Sequence, residues 1–79
     1  MSKLPRKCHW KNLVKVLEKL GFKFSNVKGS HYVMIKIDCR PPKIIVVPMR
    51  NPLKVGTLDQ KIKDADLTRK EFMELYKDP

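Results

Sequence analysis

The chain has 79 residues, 18 Lys+Arg against 8 Asp+Glu, and a formal net charge of +10. This length suits one domain, expected over residues 1–79, and leaves no room for a large cofactor fold. No apolar stretch reaches the roughly 18 residues of a membrane span, and the basic N-terminus "MSKLPRKCHW" lacks the apolar core of a signal peptide, so a cytoplasmic protein with no membrane partner is expected.

In chain order, "WKNLVKVLEKLGF" reads as an amphipathic helix. Trp10, Leu13, Val14 and Leu17 fall at i, i+3, i+4 and i+7, on one face. Lys11, Lys15 and Lys19 line the opposite side, as a solvated face or a phosphate track. His9, just ahead of this helix, is placed to cap it or to lie in solvent. Gly21 suits the left-handed position after the helix end, with Phe22 folding back on the last turn.

"FKFSNVK" predicts a first strand and "KGS", residues 28–30, a tight turn with Gly29 available for positive φ. "HYVMIKI" predicts a second strand. Its alternation puts His31, Val33, Ile35 and Ile37 on one face, expected to be covered, and Tyr32, Met34 and Lys36 on the other. Pro41 and Pro42 make "DCRPPK" a loop. "KIIVVP" predicts a short third strand, apolar on both faces, and "MRNPLKV" an irregular connector.

"GTLDQKIKDA" opens the next helix, where Thr57 and Gln60 have the spacing of a capping box. "LTRKEFMELYK" repeats the device with Thr68 and Glu71, so the helical part is expected to break near Asp66. The order α-β-β-β-α gives an α+β fold: a three-stranded antiparallel sheet with helices on one face. That is the double-stranded-RNA-binding-domain-like layout.

Charge points to a partner. Residues 1–50 hold 12 basic and 2 acidic residues, while residues 51–79 hold 6 of each. The excess therefore lies wholly before Asn51, as expected for a surface that meets a polyanion, most simply nucleic acid. A solvated lysine-rich surface is the bland alternative. Cys8 and Cys39 have no C-x-x-C spacing and fit no common zinc pattern with His9 and His31, so ordinary thiols, no metal and no cofactor are expected.

His31 is the residue with chemical potential. It follows a Gly-Ser turn, beside Lys28 and Ser30, and a histidine exchanges protons near neutral pH. Metal-free RNA cleavage needs a base for the 2′-hydroxyl, cations for the phosphate and an acid for the leaving oxygen. A packing role at a strand start is the alternative. Tyr32 suits base stacking or a cross-strand contact, and Arg40, Lys43 and Arg50 stand where loop cations grip phosphate or simply face solvent.

Taken together, "LVKVLEKLGF", "KGSHYVM", "VVP", "GTLDQKI" and "LTRKEFMEL" resemble the HicA/YcfA-like toxins, over about residues 4 to 76. The resemblance implies a metal-independent mRNA interferase whose catalytic histidine is that of the Gly-Ser-His motif, here His31. It also implies a HicB-like antitoxin that covers the site, and mRNA as substrate. Lys28, Gly29, Ser30, Lys11, Lys15 and Arg50 are the candidate RNA-binding positions. One departure stands out. Many members carry a second histidine after the third strand, where this chain has Met49 and Arg50 in "VVPMR". A non-catalytic RNA-binding module and an interaction domain for an acidic partner are the competing readings.

Overall fold

A computed structural model describes residues 7–38 and 40–77. The elements run α1 (Trp10–Lys19), β1 (Lys23–Lys28), β2 (His31–Lys36), β3 (Lys43–Pro48), α2 (Val55–Asp64) and α3 (Arg69–Lys77). The strands form one antiparallel sheet in the order β1-β2-β3. This is the expected α+β, double-stranded-RNA-binding-domain-like arrangement. Its last helical part is divided in two, and Asp66 lies between the halves at φ 59°.

Local chemistry sets the ends of α1. The His9 ring caps its start, Nδ1 accepting from the Lys11 amide at 3.1 Å. Gly21 at φ 100° closes it. The Gly21 and Phe22 amides donate to the Glu18 and Leu17 carbonyls, each at 3.0 Å, which is the paired bonding of a Schellman motif. Phe22 thereby turns back into the core.

The core lies between the sheet and the helices. Leu13 and Leu17 of α1, Met34 of β2, Ile45 and Val47 of β3, Leu58 and Ile62 of α2 and Phe72 of α3 are all buried. Cys8 is buried with them, and burial pushes its thiol pKa up, which keeps it protonated and unreactive. Cys39 lies outside the described residues.

The face of β2 is opposite to the sequence expectation. Met34 is fully buried and stands opposite Ile45, and Tyr32 stands opposite the buried Val47. Tyr32 and Met34 therefore face the helices. His31, Val33 and Ile35 face the open side, where Val33 pairs with Val46 and Ile35 with the exposed Ile44. The physical reason is that β3 is apolar on both faces and supplies no parity reference. A one-residue step then exchanges the two faces.

The start of α2 also differs. The helix begins at Val55, with Lys54 in the cap position and no side chain capping it. Thr57 lies inside the first turn, and Gln60 bonds Asp64 at 3.0 Å rather than reaching back. The second box forms as expected. The Glu71 amide donates to Thr68 Oγ1 at 3.1 Å, and the Thr68 amide donates to Glu71 Oε1 at 3.0 Å.

Candidate nucleic-acid interface

Three segments meet at one end of the sheet. The hairpin between β1 and β2 has two central residues, Gly29 and Ser30, and Gly29 takes φ 58°. Glycine at the first central position fits a type II′ turn. A Cβ at Gly29 would meet nothing within 4 Å, so the constraint there is conformational rather than steric. The turn sets Lys28 directly opposite His31, and His31 in turn stands opposite Pro48. These three share the open face at the sheet end.

The segment after β3 is fixed by backbone bonds. Met49 donates its amide to the Ser30 carbonyl at 2.8 Å, and Arg50 donates to the Pro48 carbonyl at 2.9 Å. The Arg50 carbonyl accepts from the Trp10 amide at 3.3 Å, joining the connector to the start of α1. Leu53 donates to the Cys8 carbonyl at 2.8 Å and is itself buried. Leu53 thus anchors the approach to α2 in the core, and Lys54 and Thr57 follow at the helix start.

The result is a cleft of about 250 Å³ lined by Ser30, His31, Pro48, Arg50, Leu53, Lys54 and Thr57. Its ionisable groups are one imidazole, one guanidinium and one ammonium, with no carboxylate in the lining. Two hydroxyls add hydrogen-bonding capacity. His31, Arg50 and Lys54 are exposed, so an incoming polyanion can reach them. Chemically, this set can hold an anion between fixed cations and present it to a group able to take and return a proton.

The sequence candidates divide over this geometry. His31, Ser30 and Arg50 line the cleft. Lys28 and Gly29 shape and flank it from the hairpin. Lys11 and Lys15 lie exposed on α1, outside the lining, and Lys11 Nζ stands 5.8 Å from the Trp10 ring centre. Lys19 donates to the Leu75 carbonyl at 2.8 Å, so it ties α1 to α3. Lys54 and Thr57 line the cleft as well, though neither stands out as chemical in the sequence. The signal was the "GTL" stretch, whose threonine has cap spacing but is placed at the cleft by the fold. Arg40 is exposed, and Lys43 pairs with Asp66.

Residues 10–67 match the family model described as HicA toxin of bacterial toxin-antitoxin. The match spans well over half of the chain. The chain belongs to the HicA toxin family. HicA toxins are ribonuclease toxins that work in pairs with HicB antitoxins. A search of curated proteins found no match. The cleft accordingly sits on a HicA toxin fold, and the matched residues include every side chain that lines it. Among the described residues, no helix is long and apolar enough to cross a membrane.

Proposed function

We propose that this HicA-family chain, a single domain over residues 1–79, is a metal-independent endoribonuclease that cuts mRNA in the cytoplasm, with His31 as its proton shuttle. The observation that carries the reading is the cleft, where an accessible histidine shares one lining with Arg50, Lys54 and two hydroxyls and with no carboxylate. Divalent cations in catalytic sites are typically held by carboxylates, and a lining of two cations, one imidazole and two hydroxyls without a carboxylate supports the metal-independent reading.

The reaction follows from the groups present. His31 takes the proton of a ribose 2′-hydroxyl, and that oxygen attacks the adjacent phosphorus. Arg50 and Lys54 hold the non-bridging oxygens and stabilise the charge that builds on them. The resulting imidazolium returns its proton to the departing 5′-oxygen, leaving a 2′,3′-cyclic phosphate and a 5′-hydroxyl. Lys28, opposite His31 in the ladder, adds positive charge on the same face. Ser30 and Gly29 set the turn that presents the histidine, while Lys11 and Lys15 extend the cationic surface along α1. A HicB-like antitoxin would inhibit by covering this cleft.

Arg50, where many family members have a histidine, favours a second reading in which the fold binds RNA and does not cut it. A guanidinium holds phosphate but does not exchange protons near pH 7. The deciding experiment incubates wild type and His31→Ala with end-labelled RNA in EDTA, once both are shown to fold and to bind. The proposal expects wild type to cleave and the variant to be slower by roughly 10²–10⁴-fold with binding retained. Binding without cleavage by either protein would establish the second reading. Equal cleavage by both would remove His31 from the chemistry.

A further inference from the structure

Beside the cleft, on the opposite side of β2, the structure carries a row of aromatic rings that the cleavage chemistry does not use. The His9 and Trp10 ring centres are 5.9 Å apart, Trp10 and Tyr32 are 5.3 Å apart, and Tyr32 and Phe24 are 5.0 Å apart. The row starts at the N-cap of α1, next to the Arg50 carbonyl that the Trp10 amide holds, and crosses β2 to the edge strand β1.

Two features leave this row open. Helices α1 and α2 both pack on β3, at the far edge of the sheet, so β1 projects beyond them. A bulge at Ser25 then shifts the parity of β1. Phe24 pairs with Met34 and Val27 with Tyr32, so both point to the helix side. An uninterrupted strand would put residues three apart on opposite faces. The outcome is a ledge with Phe24 at 55% and Val27 at 46% exposure, backed by the half-buried Tyr32 and Trp10.

We propose that this ledge is a base-stacking site for single-stranded RNA, taking a nucleobase next to the one whose phosphate enters the cleft. The inference rests on the reading that RNA is the substrate and adds where its bases go. Charge selects the occupant. Lys11 Nζ lies over the Trp10 ring at 5.8 Å, on the same row that ends at Phe24. Aromatic faces with a cation beside them suit a chain that alternates flat bases with phosphates. Continuity supports it further. The Trp10–Arg50 backbone bond makes the end of the ledge and the wall of the cleft adjacent, and His31 and Tyr32 are consecutive residues. A strand bending round the end of the sheet therefore reaches both.

Trp10 is the sole tryptophan, so its fluorescence reports on the ledge directly. The test titrates the full chain with a short 2′-O-methylated oligoadenylate, which has no free 2′-hydroxyl to attack with. A fully abasic chain of equal length and charge is the comparison. The proposal expects the base-containing strand to quench Trp10 and to bind roughly tenfold or more tightly than the abasic one. Phe24→Leu, which keeps an apolar side chain at an exposed site, should remove most of that difference without lowering Tm. Equal affinity with and without bases would overturn the ledge and leave backbone binding intact. A Phe24→Leu protein that loses antitoxin affinity but keeps RNA affinity would overturn it too, by assigning the ledge to a protein partner. Failure to bind either strand would overturn the ledge together with the RNA reading beneath it.

Discussion

Helix α3 opens with its polar groups tied to one another, whereas helix α2 opens with no side chain capping it. At α3, Thr68 and Glu71 bond each other's amides at 3.1 and 3.0 Å. At α2, the cap position is held by Lys54, and Thr57 lines a cleft instead. Both starts carry the Thr-x-x-Gln/Glu spacing. The closed one lies away from the cleft, and the open one faces His31 and Arg50 across it. Reciprocal side-chain bonds stabilise a helix but use up the first-turn groups that would otherwise meet a ligand. The contrast teaches that one sequence device serves stability at one end of a domain and is left unused at the cleft, where we propose that substrate binds.

The largest expected break in this contrast is at Lys54. If the α2 start serves the substrate, Lys54→Ala removes one of the two cations on the scissile phosphate. Cleavage should fall by about 10²-fold, the scale of losing one preorganised charge-stabilising donor. Lys54 is exposed and makes no capping bond, so the melting midpoint should hold. Single-turnover cleavage beside a thermal melt checks both halves. A variant that melts early but cuts normally would reverse the assignment and make the α2 start structural.

The paired substitutions Thr68→Ala and Thr57→Ala sharpen the comparison at lower amplitude. Loss of the Thr68 cap should cost about 1 kcal/mol. In a domain of this size that lowers Tm by roughly 4–8 °C. Cleavage should be unchanged, because Thr68 is outside the cleft. Thr57→Ala should do the reverse, with cleavage reduced a few-fold and Tm nearly constant. Equal Tm losses in the two variants would mean that Thr57 caps α2 in solution.

These elements also show what the residues disclose before folding. The Schellman end at Gly21, the β3 strand and the Thr68–Glu71 box all depend on neighbours a few positions away, and each is legible in sequence. The face of β2 is not. It depends on which side of an evenly apolar β3 the helices cover, and that is a tertiary choice. The cleft is legible in part. Ser30 and His31 announce themselves in the Gly-Ser-His turn, and Arg50 as a loop cation. Lys54 and Thr57 reach the same space only through the burial of Leu53, which swings the α2 start toward the sheet end.

The smallest expected effect concerns charge in the C-terminal part, where acids are engaged by nearby cations. Asp59 accepts from Arg69 Nε at 3.1 Å and pairs with Lys63 at 3.3 Å. The Arg69 hydrogen bond, with a further contribution from Lys63, holds its carboxyl below the usual range. The sign follows directly. A depressed folded value means that the unfolded chain binds the proton more readily, so folding gains stability as pH rises. The gain is fully present above the unfolded carboxylate value of about 4 and is lost as pH falls through the lower folded value. Salt screens such a surface pair, so the effect should shrink as ionic strength rises. Asp59→Asn should therefore flatten the fall of Tm on the acid side of pH 4, leave Tm near neutral pH only slightly lowered, and leave cleavage unaltered. Thermal melts of both proteins across that acid range at low and high salt provide the check. An unchanged acid slope would show that Asp59 is held no more tightly in the folded protein than in the unfolded chain. It would leave the Thr68–Glu71 box as the principal polar support of α3.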